Sequence, residues 1–201
     1  MLETLRDLLE DQIKDLYSAE NQLLKALPKM ARKASSDALR EAFESHLEET
    51  NTHVERINEI AELLDMRPGG KSCKAMQGLI EEGKEVLEED GNDTVIDAAL
   101  IIAAQRVEHY EISAYGSARA LAEQLGEAQV VALLEETLDE EKSADVKLSD
   151  ISTDEILPSA PQDEGDESDE EETDQRARKP KVVTRSNSRS TAKPGAKRSS
   201  R

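Results

Sequence analysis

Residues 66–92 read MRPGGKSCKAMQGLIEEGKEVLEEDGN, and what this stretch does between its neighbours decides the fold. Arg67-Pro68-Gly69-Gly70 stops a helical pattern, because proline has no backbone N–H to give and glycine leaves a helix at little steric cost. Gly91 closes a shorter helical segment at about 73–89, and Asn92 or Asp93 is placed to cap the helix that follows. The whole link is about 27 residues, enough to run the length of a helical bundle. The other connections are tight. Ser35-Ser36 can cap a helix starting at Asp37, and Gly126 sits where a helix C-terminus calls for a left-handed residue. The pattern predicts four long helices at about 3–34, 37–65, 93–125 and 127–150, with Pro28 expected to kink or shorten the first. Two antiparallel hairpins joined by one long crossover is the ferritin-like arrangement of four helices, which a plain up-down bundle would not need. The fold class expected is therefore all-α.

Composition agrees. With no Trp and one Phe, a core must be built from Leu, Ile, Val and Ala, which favours helices over a sandwich or barrel. No apolar run is long enough to span a membrane. The segment MLETLRDLLEDQIKDL is charged throughout and has no signal-peptide core. Cys73, the single cysteine, has no internal partner for a disulfide. These features point to a cytoplasmic protein with no membrane partner.

After Ile151 the character changes. Residues 152–201 are rich in charge, Pro, Gly and Ser and poor in apolar residues, so they are expected to form a disordered tail beyond a helical unit at 1–151. Nine acids fall in 163–174 and ten bases in 175–201. They nearly cancel, so the net charge of -19 belongs to residues 1–162. Such an acidic unit repels nucleic acid, whereas the basic end of the tail is a candidate for binding it.

The faces of the long helices carry the chemistry. In the first, the apolar stripe runs Leu5, Leu9, Ile13, Leu16, then Glu20, then Leu23 and Leu27. In the third long helix it runs Leu100, Ala104, Val107, then Glu111, then Ala114, Ala118, Leu121 and Leu125. Both glutamates sit on a buried face, each 16 residues before the next helix begins. The second helix gives Leu39, Phe43, His46, Thr50, His53, Ile57, Ile60, Leu64, with Glu49 on its border and four residues before His53. LEETLDEEKSAD at 134–145 echoes LEETNTHVERI at 47–57. Matching the LEET strings sets Glu136 against Glu49 and Glu140 against His53. Matching helix starts sets Glu140 against Glu49. Glu108, three before Glu111, can also point inward.

One glutamate on an apolar stripe is usually paired with Arg or Lys or reaches solvent. Several facing one another in a core must be neutralised, because a lone buried carboxylate is costly and takes up a proton. Carboxylates with one or two imidazoles suit iron, manganese or zinc. The metal-ligand candidates are Glu20, Glu49, His53, Glu108, Glu111, Glu136 and Glu140, holding iron or manganese, with two ions expected. Tyr17 and Tyr115 are placed to hydrogen-bond the cluster. His109 is expected to face away, and Cys73 to be half exposed and inert. No phosphate loop, nucleotide fingerprint or Ser-His-Asp set is present in the sequence.

LYSAENQLLKALPKMA (16–31), HLEETNTHVERI (46–57), KSCKAMQGLIEEG (71–83) and VEHYEISAYGSARALAEQLG (107–126) together resemble the bacterial YciE/YciF stress-protein family, over about residues 2–150. The resemblance implies a ferritin-like, rubrerythrin-related fold, a homodimer and a link to stress responses. The ferritin-like metal pattern places one Glu on each of two helices and Glu-x-x-His on each of the others. Here the second helix offers Glu49-x-x-x-His53, His46-x-x-Glu49 reverses the order, and the last helix has no histidine. Two function classes follow: a carboxylate-bridged metal protein handling iron or peroxide under stress, or a non-catalytic helical scaffold whose charged tail recruits partners.

Overall fold

The computed structural model describes residues 2–162. Among the described residues there are four long helices, one shorter crossover helix and no strand: α1 Leu5–Lys33, α2 Asp37–Leu63, α3 Lys74–Glu88 (the shorter one), α4 Asp93–Leu125 and α5 Ala128–Ile151. Residues 163–201 of the expected tail, its acidic and its basic block, lie outside the described residues. No described helix is long and apolar enough to cross a membrane.

Local chemistry sets the helix ends. Thr4 and Asp7 form a reciprocal capping box at the start of α1, which satisfies backbone donors that have no partner inside the helix. Ser36 and Asn92 cap α2 and α4 through their side chains. Asp97, buried in α4, accepts the backbone N–H groups of Ser35 and Ser36 at 2.9 and 2.8 Å, which ties the α1–α2 turn to the second hairpin. α4 ends at Gly126, whose φ of 76° is a left-handed conformation that glycine adopts without strain.

Three expectations about element boundaries are corrected. α2 stops at Leu63, before the Arg-Pro-Gly-Gly string. Asp65 takes φ 49°, and the N–H groups of Asp65 and Met66 return to the carbonyls of Glu62 and Ala61. This is the Schellman closure, with an aspartate where glycine is usual. α1 is not shortened at Pro28 but continues to Lys33, since the flanking turns are held by packing of Leu27 and Ala31 in the core. α5 ends at Ile151, but the expected tail does not begin there: the chain passes into a π-helical turn, Ser152–Ile156, and a final turn, Leu157–Ser159. Ile156 is 2% exposed and packs among core residues of the other helices, and that apolar anchor outweighs the polar composition around it.

α1 lies against α2, and α4 against α5. α1 also packs on α4, α2 on α5, and α3 covers α4 and α1. The apolar interior is in two parts. One, the upper core, gathers Leu23, Leu27, Leu39, Phe43, Met76, Leu100, Ile101, Leu148 and Ile156. The other, the lower core, gathers Leu9, Ile13, Leu16, Ile57, Ile60, Leu64, Tyr115, Val130 and Leu134. Between them, on all four long helices, lies a buried polar layer: Glu20, His46, Thr50, His53, Glu108, Glu111, Thr137 and Glu141. The two hairpins repeat one another at an offset of 91 residues. Leu9 and Leu100, Ile13 and Ala104, Glu20 and Glu111, Leu39 and Val130, and Phe43 and Leu134 are buried pairs at that spacing.

Candidate metal centre

The polar layer is built from side chains that helical spacing carries inward. Glu20 comes from the middle of α1, His46 and His53 from α2 two turns apart, Glu108 and Glu111 from α4 one turn apart, and Glu141 from α5. Each is at least nine-tenths buried. Two groups converge, in each of which one ligand atom per residue lies within 4.8 Å of the others: His46, Glu108, Glu111 and Glu141, and Glu20, His53 and Glu141. Glu141 belongs to both.

The facing distances are short. His53 Nδ1 is 3.0 Å from Glu141 Oε1 and 3.7 Å from Glu20 Oε1. His46 Nε2 is 3.5 Å from Glu108 Oε1 and 3.7 Å from Glu141 Oε2. Yet among the described residues eight buried side-chain atoms have no hydrogen-bond partner, and all of these belong to this cluster: Glu20 Oε2, His46 Nε2, His53 Nδ1, Glu108 Oε2, and both oxygens of Glu111 and Glu141. Even the 3.0 Å contact of His53 with Glu141 lacks hydrogen-bond alignment. Buried polar atoms in a native core are almost always partnered. A shared cation is what this set of six inward-turned donors lacks, so the residues fit a metal.

The outward side of each imidazole is held. His53 Nε2 meets Glu140 Oε2 at 3.0 Å, and His46 Nδ1 meets Glu49 Oε2 at 3.3 Å. A carboxylate behind a ring fixes the tautomer and leaves the opposite nitrogen free for a metal. Glu140 is itself clamped by Arg56, whose Nη2 donates to Glu140 Oε1 at 2.9 Å and to Glu136 Oε1 at 2.8 Å. Tyr115, fully buried, donates its hydroxyl to Glu20 Oε1.

The electrostatics carry the mark of crowding. Burial by itself disfavours charged imidazoles. At His46 it is outweighed by the Glu108 carboxylate, the Glu49 hydrogen bond and the Glu141 carboxylate, and the pKa rises to about 9. At His53 burial is outweighed by Glu141 and Glu20, and the pKa rises to about 10. Glu111 is pushed well above the usual carboxylate range by burial and by Glu20, Glu141 and Glu108. Glu108 is pushed up by burial, against the pull of His46. Glu20 is also raised by burial, against the pull of the neighbouring His53 ring and the hydrogen bond from Tyr115. Without metal, the cluster therefore holds protons at neutral pH.

Of the sequence candidates, Glu20, His53, Glu108 and Glu111 lie in the cluster. Glu49 and Glu140 do not face it; they stand behind the histidines. Glu136 lies outside, its side chain 58% exposed and paired with Arg56, because its place on α5 turns it to the surface. The two residues not among those candidates are Glu141 and His46. His46 is visible as part of the α2 stripe. Glu141 is visible in the α5 stripe Val130, Leu134, Thr137, Glu141, Leu148, whose steps are three, four or seven. Tyr17 is half-buried beside the lower core, and His109 is exposed near Asp145. Cys73 is buried rather than half exposed. Its sulfur caps α3 and touches the Tyr110 hydroxyl at 2.9 Å, and burial pushes the thiol pKa up.

Fold and site together define an all-helical protein with a buried Glu/His cluster able to hold a metal ion. The chain belongs to the family described as "Domain of unknown function (DUF892)", whose match covers residues 4–160. It is 48% identical over 151 residues to Protein YciF of Escherichia coli (strain K12), covering 75% of this chain and 91% of that protein. The crystal structure of the E. coli stress protein YciF matches at TM-score 0.73 and 48% identity, covering 75% of this chain and 96% of that one. The structure of YcfI from Rhodopseudomonas palustris matches at TM-score 0.72 and 44% identity, covering 74% and 94%.

Proposed function

We propose that the protein is a ferritin-like four-helix bundle that binds a pair of iron or manganese ions between its helices and handles iron or peroxide in a stress response. The observation that carries this reading is the set of eight unpartnered buried atoms, all on six side chains that meet from four helices. The stress context is brought by the likeness to YciF, which is described as a stress protein. A scaffold with no ligand gives no reason to bury four carboxylates against one another.

In this reading Glu20, His53 and Glu141 would hold one ion, and His46, Glu108, Glu111 and Glu141 the other. Bound iron would supply electron transfer to dioxygen or peroxide. The chain's own part is to orient and to hold protons. Glu140 and Glu49 keep the imidazole N–H groups turned outward, and the Tyr115 hydroxyl donates to Glu20 Oε1 and so fixes that carboxylate's orientation. The ferritin-like pattern is incomplete. Three residues before His53 stands Thr50, whose hydroxyl donates to the His46 carbonyl at 2.7 Å, and three after Glu141 stands Ala144. We also propose a homodimer in the cytoplasm, supported by the exposed Val95 and Ile102 seven residues apart on one face of α4; light scattering at micromolar concentration measures it.

The test is metal-linked stability. Fe(II) without oxygen, or Mn(II), added to chelator-treated protein should raise the melting temperature, since a ligand that binds only the folded state stabilises it by mass action. Glu20→Ala, Glu111→Ala and Glu141→Ala should lose that rise and keep helical circular dichroism. Equal behaviour of all four proteins would overturn the metal reading.

A further inference from the structure

A cavity of about 410 Å³ opens between α2 and α5. Its rim carries the carboxylates Glu49, Glu136, Asp139 and Glu140, and His46 and Glu108 line its inner end. Those two residues are 6% and 2% exposed, and each keeps one unpartnered ligand atom, His46 Nε2 and Glu108 Oε2. Glu20 and His53 do not line the cavity. On the far side, α3 packs over α1 and α4 and buries Cys73 and Met76.

We propose that this acidic cleft is the inlet through which hydrated divalent cations reach the buried cluster. The inference rests on the metal reading above and adds where the ion comes in and which half it meets first. Size permits it: six waters of hydration occupy about 180 Å³ at about 30 Å³ each, less than half the cavity. Charge favours it, because the four rim carboxylates outnumber the one lysine of the lining, Lys147, and a predominantly negative cleft walled by protein focuses its field and raises the local concentration of cations. Rim carboxylates can replace water oxygens one at a time, which eases the dehydration that hard cations resist. His46 Nε2 and Glu108 Oε2 are the ligand atoms met at the inner end. Glu141, shared by both halves, leads on to Glu20 and His53.

Asp139 and Ser143 allow a test that spares the cluster. Asp139 pairs with Lys142 at 2.9 Å, Ser143 donates to the Asp139 carbonyl at 2.8 Å, and neither touches a histidine of the cluster. The full chain, stripped of metal, is mixed with Co(II), and the colour of His- and carboxylate-bound cobalt is followed in stopped flow. Asp139→Lys should slow loading by about threefold or more at low salt and weaken its salt dependence, within the range of electrostatic steering. Ser143→Trp, which narrows the cleft, should slow it at every salt concentration. Both should reach the wild-type final absorbance and the wild-type rise in melting temperature. Wild-type loading rates in both variants would overturn the inlet and leave the metal reading standing. Loss of final absorbance in both, with circular dichroism intact, would place these residues in the site itself and also overturn it. A wild-type chain that neither colours nor gains stability with Co(II) defeats the metal reading, and the inlet with it.

Discussion

Glu49 and Glu140 stand 91 positions apart, the spacing at which the two hairpins repeat, and each holds the outward nitrogen of one imidazole. Their roles follow from position: each is one residue before a buried one, Thr50 or Glu141, and lies at the edge of the buried face, its side chain 44% exposed for Glu49 and 33% for Glu140. Losing a carboxylate behind a ligating histidine typically costs 10–100-fold in metal affinity. Glu140→Gln should therefore weaken Mn(II) binding by about that factor, read by chelator competition, with helicity unchanged. A pH prediction follows from the same cluster. His46 and His53 have folded pKa values of about 9 and about 10, above the ordinary 6.5. A raised imidazole pKa gives stability that is fully present below about pH 6.5 and lost as pH climbs through the folded value. Glu20, Glu108 and Glu111 are raised too, from the ordinary 4.5, and they add loss in the same direction from about pH 4.5 up to the point where they ionise in the fold. The melting temperature of the metal-free protein should fall between about pH 6.5 and 10. Metal must displace those protons, so its stabilisation should grow over the same window. A flat metal-free profile in a pH series of thermal melts would contradict this. Glu20 and Glu111 were legible from sequence because each interrupts an otherwise apolar stripe. Glu141 was legible only through the buried period of α5, because five acids crowd 135–141 and the echo of a tetrapeptide does not separate inner from outer.

At the scale of elements, the long crossover and the capped turns were readable because Ser, Asn and Gly state their backbone preferences locally. The end of α2 was not, since it rests on an aspartate at φ 49°, a choice that sequence rarely signals. The end of α5 was hidden for another reason: one isoleucine in a polar stretch decides it. Ile156 is 2% exposed within the upper core, and Glu155 accepts from the Ser36 hydroxyl at 2.5 Å. Removing a fully buried isoleucine side chain costs about 2–5 kcal/mol. Truncation after Ser152 should therefore lower the melting temperature by several degrees, while truncation after Pro161 should leave it near the full-length value. Equal melts for the two truncations would mean that the π-helical turn adds nothing.

The whole molecule is two hairpins at a 91-residue offset, and each keeps one half of a Glu-x-x-His unit. α2 has Thr50-x-x-His53, and α5 has Glu141-x-x-Ala144, so the equivalents of Glu141 and His53 are Thr50 and Ala144. Restoring either one separates charge from ligation. Thr50 is fully buried, so Thr50→Glu adds another carboxylate to a layer that already pushes its neighbours' pKa values up. In the metal-free protein this should lower the melting temperature at pH 8, because a buried like charge is unfavourable. With Mn(II) the same group becomes a ligand, and the metal-induced rise should exceed that of the wild type. Ala144→His adds a neutral nitrogen donor on the opposite hairpin. It should change the metal-free melt little and tighten binding, by about tenfold for each 1.4 kcal/mol gained. The two variants together distinguish a metal centre from a packed polar layer. If metal binds, the Thr50→Glu loss is reversed by Mn(II) and Ala144→His lowers the Mn(II) dissociation constant. If the layer is only structural, Thr50→Glu destabilises with and without Mn(II), and Ala144→His leaves the response to metal unchanged.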